Sequence, residues 1–374
     1  MDSSRIDPLP APPGNVPLVV DLDGTLILTD TLWESLIRLL RRNPLYALAA
    51  LSWWSRGRAN LKRQLALRVA LDPAALPYHE PLLEYLRAEK ARGRSLILAT
   101  ASDIGMAQPV AEHVRIFDDV LASDGKHNLR GRRKGQVLCE RHGERGFDYA
   151  GNSRVDLSVW SHAREAIVVN ASPSLARRAA AVATLGTEFL GPRRYLQQMI
   201  QMLRPQRWPK NALVWLPFLA VKSAGQTQAD AVKWITIAFC LCAAGAYVWN
   251  DLLDLDEDRK HPIRRQRPFA RGGLPLQAGL IAAPVLAAAG LALGASQSWS
   301  VAGVLSGYLA GTVIYTTHLK RVAILALVGL TGLNLLRVVA GGLAVDLKWT
   351  VSLVAISTAL CASLAAVRFL FLRR

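Results

Sequence analysis

The stretch Asn250-Asp251-Leu252-Leu253-Asp254-Leu255-Asp256-Glu257-Asp258 ends an apolar segment that begins at Ala231. Such a segment is typical of a membrane-spanning helix, beside which acidic residues are costly and indicate a functional site. Asp251, Asp254 and Asp258 are three and four residues apart, a spacing that places three carboxylates on one face of a helix. This face predicts a Mg²⁺ site, because Mg²⁺ takes oxygen ligands and leaves room for phosphate.

A basic run follows the acidic cluster directly. It contains Arg259, Lys260, Arg264, Arg265 and Arg267. Guanidinium and ammonium groups pair with phosphate oxygens. The two runs together predict a metal-bound diphosphate that is held at a membrane surface.

The C-terminal half is dominated by apolar segments long enough to cross a bilayer. Basic residues concentrate in alternate loops between them, as the positive-inside rule requires. The net charge of +17 is therefore explained by membrane topology, and we expect no nucleic-acid partner. We expect a multi-pass protein of the cytoplasmic (inner) membrane, with its N-terminal domain and acidic cluster in the cytoplasm. The six predicted spans are 211–224, 229–249, 275–296, 299–317, 322–345 and 350–370.

The N-terminal half has its own chemical motif. Pro17 to Val20 is a short apolar strand signal, and it runs directly into Asp21-Leu22-Asp23-Gly24-Thr25. Two aspartates separated by one residue at a strand end point their carboxylates to the same side. One such carboxylate can attack phosphorus while the other moves a proton.

The stretch from Asp21 to Thr25 resembles the nucleophile motif of the haloacid dehalogenase (HAD) superfamily of phosphohydrolases. Residues 95–100, 128–134 and 147–156 match the further motifs of that family in order. The resemblance implies a three-layer, Rossmann-like α/β fold with its site at the carboxyl ends of the strands. Residues 31–90 have a helical pattern, and we expect them to form a cap over the site.

The HAD resemblance also implies roles for single residues. Asp21 would be the nucleophile and Asp23 the general acid and base. Thr100 would bond the phosphoryl group, and Lys134 would offset its charge. Mg²⁺ would be held by Asp21, Asp156 and the backbone carbonyl of Asp23, with Asn152 at a position where the family usually has Asp. Because an amide carries no charge, we expect either weaker Mg²⁺ binding or a position for Asn152 beside the metal ligands and not among them. The sequence leaves open whether the domain has lost phosphatase turnover.

Residues 204–211, 250–258 and 267–272 together resemble the UbiA superfamily of intramembrane prenyltransferases. Residues 315–320 and 336–342, with the fused HAD domain, narrow the resemblance to the branch that joins 5-phosphoribosyl 1-diphosphate to polyprenyl phosphate. The resemblance implies an all-α membrane bundle in which Asp251, Asp254 and Asp258 hold Mg²⁺ on a diphosphate leaving group. The substrate-binding residues that it implies are Lys210, Asn250, Arg264, Arg267, Lys320 and Arg337.

The expected organisation is a disordered tail at 1–15, a HAD-like domain at 16–195 and a UbiA-like membrane domain at 200–374. Two features depart from the branch. Ala326 stands where an acidic residue is usual, and the UbiA family has more spans than the six predicted here. We therefore expect the C-terminus to be truncated.

Three functions remain open from the sequence alone. The first is a Mg²⁺-dependent UbiA-type transferase that acts on a polyprenyl phosphate and a diphosphate donor such as phosphoribosyl diphosphate, with a fused HAD-type phosphatase. The second is an aromatic, quinone-type prenyltransferase that uses a polyprenyl diphosphate. The third is a truncated, inactive membrane anchor that carries a HAD phosphatase. In each case the lipid bilayer is an expected partner.

Overall fold

A computed structural model describes residues 16–189, 195–221, 224–319 and 322–373, with side chains described as far as residue 367. The chain divides into two compact units. The first unit ends at Tyr195 and also contains Arg271–Pro275. The second unit consists of Leu196–Ala270 and Leu276–Arg374.

The first unit is built on a parallel sheet, which in its described part has six strands in the order β3-β2-β1-β4-β5-β6. The order reverses between β1 and β4, and ligands bind outside the carboxyl ends of strands at such a point. The predicted α/β fold is thereby confirmed. The strands are β1 (Leu18–Val20), β2 (Leu96–Asp103), β3 (Asp119–Ser123), β4 (Asp148–Gly151), β5 (Glu165–Val169) and β6 (Thr184–Phe189).

Both faces of this sheet are covered. In β1, Leu18 and Val20 pack in one buried cluster while Val19 packs in another, because alternate side chains of a strand point to opposite faces. Because β1 is buried on both faces, its sequence is a continuous apolar run and does not alternate with polar residues. The helices of this unit are α1 (Thr31–Arg42), α2 (Tyr46–Ser55), α3 (Arg58–Ala66), α4 (Glu80–Ala91), α5 (Ile104–Val114), α6 (Arg132–His142), α7 (Leu157–Trp160) and α8 (Pro173–Ala180).

The cap is smaller than the sequence suggested. Helix α1 begins where the Asp30 carboxylate accepts a hydrogen bond from the backbone N–H of Leu32 at 2.9 Å, a typical N-cap. Helices α1, α2 and α3 share a small buried cluster around Leu39 and Leu65, which Met106 of α5 also joins. Helix α4 instead places Leu82 and Leu86 in a core cluster of the sheet, so the end of the predicted cap at 31–90 belongs to the core layer.

The second unit is helical. Among its described residues, three helices are long and apolar enough to cross a membrane, namely Gln226–Leu253, Leu276–Gln297 and Ala323–Ala344. Long apolar helices support the predicted membrane bundle. The helices are α9 (Tyr195–Leu203), α10 (Leu216–Ala220), α11 (Gln226–Leu253), α12 (Leu255–Lys260), α13 (Leu276–Gln297), α14 (Trp299–Thr317), α15 (Ala323–Ala344) and α16 (Val351–Arg373).

One predicted span is wrong. The segment 211–224 is not a single helix, because it begins within a 3₁₀ helix over Pro205–Trp215 and continues as the five-residue helix α10. Pro209 and Pro217 lie in these two elements. Pro217 stands in the first turn of α10, a position that suits proline because it has no N–H to donate, and a helix therefore begins in the middle of the predicted span.

Helices α11 and α13 approach each other closely through glycine. A Cβ atom added to Gly290 would lie 2.5 Å from Cys242 Sγ and 2.8 Å from the Ala238 carbonyl oxygen. A Cβ atom at Gly245 would lie 2.7 Å from the Ala283 carbonyl oxygen. Small residues at a helix contact allow the backbones to pack tightly in a membrane.

We expect Gly290→Ala to lower the free energy of unfolding by roughly 1–3 kcal/mol, because the added methyl group must displace backbone atoms of α11. Gly303→Ala in α14 is the control, since nothing lies within 4 Å of its Cβ position. Thermal unfolding of the detergent-solubilised protein measures both variants. Equal unfolding temperatures for the two variants would contradict this account of the contact.

Candidate functional site

Three adjacent strands carry predicted site residues at their carboxyl ends. Asp21 directly follows β1, Thr100 lies near the end of β2, and Asn152 directly follows β4. The backbone N–H of Asp21 donates to the Ala150 carbonyl at 3.0 Å. This hydrogen bond joins the ends of β1 and β4. The Thr100 hydroxyl is buried and accepts a hydrogen bond from the Ser102 N–H at 3.0 Å.

Four buried side chains form a connected network at this edge of the sheet. Lys134 Nζ donates to Asp21 Oδ1 at 2.7 Å and to the Tyr149 hydroxyl at 2.9 Å. The Tyr149 hydroxyl in turn donates to Asp156 Oδ1 at 3.0 Å. The predicted residues Asp21, Lys134 and Asp156 therefore meet, and Tyr149, which the sequence analysis did not single out, connects them.

The loop after β4 fixes the second acidic residue of this network. Asp156 Oδ2 accepts hydrogen bonds from the Ser153 hydroxyl at 2.8 Å and from the Asn152 N–H at 3.1 Å. The Asn152 side chain lies against Gly24, where an added Cβ would come within 2.1 Å of Asn152 Nδ2. Gly24 also has φ of +76°, so the turn after Asp23 requires glycine.

Asp23 has a separate set of partners. Its Oδ1 accepts from the Thr31 N–H at 2.8 Å, and its Oδ2 accepts from the Ser102 hydroxyl at 2.5 Å. Thr31 begins the first cap helix, whereas Ser102 lies two residues after Thr100 on the same strand. The alternation of strand side chains could have identified Ser102 beforehand, but nothing in the sequence connected Thr31 to Asp23.

Negative charge accumulates at this edge of the sheet. Burial raises the pKa of Asp21 to about 6, and the nearby carboxylates of Asp156 and Asp23 raise it as well, whereas Lys134 lowers it. Converging carboxylates disfavour their own ionisation and are stabilised by a cation. Asp21, Asp156 and the Asn152 amide are therefore chemically suited to hold a divalent metal ion.

Cap helix α3 brings positive charge towards this site. Lys62 Nζ donates to the carbonyl of Ala101, the residue after Thr100, and Arg63 Nη1 lies 3.3 Å from Asp103 Oδ1. Burial lowers the pKa of Lys62, although the charge of Asp23 raises it. These two residues fall within the cap predicted at 31–90, but the sequence did not assign them to the site, because the contact depends on how the cap folds over β2.

In the second unit the three predicted carboxylates are buried together. Asp251, Asp254 and Asp258 are 2%, 8% and 1% exposed, whereas Glu257 is exposed. They do not lie on one continuous helix, because α11 ends at Leu253 and α12 begins at Leu255. The helical pitch nevertheless persists across this junction, since the N–H of Asp258 donates to the Asp254 carbonyl at 2.8 Å.

Two of these carboxylates converge on one guanidinium group. Arg267 Nη1 donates to Asp251 Oδ1 at 3.2 Å and also bonds Asp258 Oδ2. Arg264 Nη1 lies 3.5 Å from Asp258 Oδ1, and Arg204 pairs with Asp251. Burial raises the pKa of Asp258 to about 6, although the charge of Arg267 lowers it.

The third carboxylate is held differently. Asp254 Oδ2 accepts a hydrogen bond from Asn250 Nδ2 at 3.0 Å. Asn250, a predicted substrate-binding residue, therefore orients a predicted metal ligand in this structure. Asp251 and Asp258 are thus the two predicted ligands that pair with the same residue, Arg267.

A cluster of cations lies beside the acidic residues. Lys210 Nζ lies 4.9 Å from the centroid of the Tyr247 ring and donates to its hydroxyl. The guanidinium groups of Arg207 and Arg204 lie 5.2 and 5.7 Å from the same centroid. Cations are attracted to an aromatic face, and three of them in one place favour an anionic ligand.

Arg337, a predicted substrate-binding residue, lies inside the helical unit and is 1% exposed. Its Nε donates to Asn211 Oδ1 at 2.8 Å, and its Nη2 donates to the Tyr308 hydroxyl at 3.1 Å. A buried arginine requires such partners. Its predicted contact with a phosphate stays a prediction, and the predicted residue Lys320 lies outside the described residues.

A cavity of about 470 Å³ opens between the 3₁₀ segment, α10, α15 and α16. Its lining is mostly aliphatic and includes Leu213, Leu216 and Leu330. Lys210 and Asn334 are the polar side chains among the lining residues. Such a cavity suits a ligand with an apolar body and a small number of polar groups.

Comparison with known proteins matches each unit to a family. Residues 18–161 match the haloacid dehalogenase-like hydrolase family, and residues 212–372 match the UbiA prenyltransferase family.

Three relatives show how much of the chain is shared. The y4nM protein of Sinorhizobium fredii is 36% identical over 331 residues, which is 87% of this chain and 63% of that protein. Decaprenyl-phosphate phosphoribosyltransferase of Mycolicibacterium smegmatis is 34% identical over 42% of this chain and 51% of its own length. Nodulation protein NoeC of Azorhizobium caulinodans is 33% identical over 44% of this chain and 54% of its own length.

The chain thus spans between about half and 63% of the length of these curated relatives. The two family matches agree with the fold of the unit in which each occurs. The chain therefore joins a domain of the haloacid dehalogenase-like hydrolase family to a membrane domain of the UbiA prenyltransferase family.

Proposed function

We propose that the UbiA domain transfers a phosphoribosyl group from phosphoribosyl diphosphate to a polyprenyl phosphate. The lipid phosphate oxygen would form a bond to the anomeric carbon as the bond from that carbon to the diphosphate breaks. The observation that carries this proposal is the convergence of the buried Asp251 and Asp258 carboxylates on Arg267. Relatives named decaprenyl-phosphate phosphoribosyltransferase support this choice of substrates.

Both domains have oxygen ligands that fit Mg²⁺. Asp251 and Asp258 already converge on a single cationic group, and Asp254 lies between them in the sequence. Asp21 and Asp156, with the Asn152 amide, are the corresponding ligands in the HAD domain. When bound, Mg²⁺ would neutralise and polarise phosphate oxygens at each site.

The arginines of the UbiA domain have a second task in this proposal. Arg204, Arg264 and Arg267 pair with carboxylates in the structure. Their guanidinium groups would pair with diphosphate oxygens when a metal ion neutralises the carboxylates. Charge that builds up on the leaving diphosphate would thus meet donors that are already in place.

The polyprenyl chain of the lipid substrate would lie in the cavity that Lys210 lines. Its aliphatic lining suits a polyprenyl chain, and Lys210 lies at its wall. Lys210 also bonds Tyr247, whose ring lies under Arg204, and Arg204 pairs with Asp251. A lipid phosphate held by Lys210 would therefore lie close to a diphosphate that is bound at the acidic cluster.

We infer that the HAD domain removes a phosphate from the lipid-linked product. Asp21 would attack phosphorus as the bond from phosphorus to the sugar oxygen breaks. Asp23, which is oriented by Thr31 and Ser102, would give a proton to that leaving oxygen and then take one from the water that hydrolyses the aspartyl phosphate. Lys134 would offset the charge of the phosphoryl group. For the two domains to act in sequence, the N-terminal domain and the acidic cluster would lie on the same side of the membrane. The basic residues beside the acidic cluster favour the cytoplasmic side of the cytoplasmic membrane.

Asp251→Asn is expected to lower transfer to the lipid by about 100-fold or more, because it removes a buried charge from the diphosphate site. Glu257→Gln is the matched control, since Glu257 is exposed on the neighbouring helix and should leave transfer unchanged. Incorporation of radiolabelled phosphoribosyl diphosphate into polyprenyl lipid measures both. Full transfer by the Asp251 variant would exclude this site.

Asp21→Asn is expected to leave transfer intact while the lipid product keeps its phosphate, because only the phosphatase nucleophile is lost. Mass spectrometry of the lipid product distinguishes the two products. Asp119→Asn, which changes an exposed carboxylate paired with Arg141, should behave as the unaltered protein. A product whose phosphorylation is the same with and without Asp21 would show that the two activities are not coupled.

Asn152→Asp is expected to lower the Mg²⁺ concentration for half-maximal phosphatase activity by about tenfold, because it adds a charged oxygen beside Asp156. Gln136→Glu adds the same charge on the exposed side of α6 and should not change this concentration. A Mg²⁺ titration with a soluble phosphomonoester measures the effect. An unchanged or raised Mg²⁺ requirement would place residue 152 away from the metal.

A further inference from the structure

The cap carries a block of charge of one sign. Residues 35–71 contain eight basic residues and no Asp or Glu. A block of this kind repels other cations and attracts an extended anionic surface. The basic residues are Arg38, Arg41, Arg42, Arg56, Arg58, Lys62, Arg63 and Arg68.

Helix α2 in the middle of this block exposes large apolar side chains. Leu48, Leu51 and Trp54 are 69%, 58% and 55% exposed, and Leu45 just before the helix is 71% exposed. The opposite side of α2 is where Ala50 packs in the cap cluster. A row of exposed leucine and tryptophan on one helix marks an interaction site.

Exposed arginines lie at both ends of this apolar row. Arg41 and Arg42 precede α2, and Arg56 and Arg58 follow it. A helix with an apolar face beside cationic side chains is typical of one that lies in the interface of an anionic membrane. Tryptophan is also favoured at that depth.

We propose that α2 inserts its exposed apolar face into the surface of an anionic bilayer, with the flanking arginines paired to lipid phosphates. Charge favours an anionic bilayer over a protein partner, because a lipid surface offers phosphates to the arginines at both ends of α2 while it covers the apolar row between them. The membrane helices of the same chain also raise the effective concentration of the bilayer at α2. This inference holds whether or not the proposed transferase reaction does.

Hydrogen exchange of the full chain tests the proposal directly. The protein is reconstituted in nanodiscs of phosphatidylcholine alone and of phosphatidylcholine mixed with phosphatidylglycerol. Backbone amides of α2 are expected to exchange about tenfold more slowly, or slower still, in the anionic nanodiscs. High salt should remove most of this difference, because it screens the attraction of the arginines to lipid.

Variants at exposed positions separate insertion from folding. Leu48→Asp combined with Leu51→Asp should abolish the slowing, since both side chains already contact solvent and their replacement leaves the cap core intact. Leu48→Met combined with Leu51→Met keeps the apolar face and should retain the slowing. Arg56→Gln combined with Arg58→Gln should reduce the dependence on phosphatidylglycerol.

Two results would overturn the proposal. Slowing that is equal in detergent and in both nanodiscs would show that another part of the chain covers α2. Slowing that appears only at a high ratio of protein to nanodisc, whichever lipid is used, would show that a second copy covers it.

Discussion

The stability of the second unit depends on how the carboxylates of Asp251 and Asp258 are paired with cations among apolar helices. An unpaired buried carboxylate is strongly destabilising, whereas one paired with a guanidinium group is tolerated. Arg267 satisfies Asp251 and Asp258 at once, and Arg204 adds a second cation on Asp251. In the proposed reaction, these cations would exchange their carboxylate partners for the oxygens of a metal-bound diphosphate.

In the HAD domain, a lysine and not an arginine pairs with the buried carboxylate. Asp21 is buried at the end of a central strand and is paired with Lys134, which Tyr149 links to Asp156. Each domain thus holds its acidic residues by a cation that can also serve a phosphate group. Two sites of similar chemistry on one chain are consistent with a phosphorylated substrate that passes from one to the other.

Short-range features of both sites were visible in the sequence. The strand before Asp21 and the spacing of Asp251, Asp254 and Asp258 depend on local periodicity, and the structure shows β1 and three buried carboxylates there. Contacts between distant segments were not visible. Lys62 reaches β2 from the cap, and Arg204 meets Asp251 across 47 positions of sequence. The span predicted at 211–224 failed because hydropathy does not register helix boundaries, and a 3₁₀ helix ends and α10 begins within this segment.

Mn²⁺ in place of Mg²⁺ allows the most direct measurement of the diphosphate site. The ³¹P hyperfine coupling of bound Mn²⁺ is recorded for the full chain in nanodiscs with phosphoribosyl diphosphate. The account predicts a coupling that survives Asp156→Asn, which alters only the HAD domain, and that disappears with Asp258→Asn. A ³¹P coupling that persists without Asp258 would contradict the claim that these buried carboxylates hold the metal-bound diphosphate.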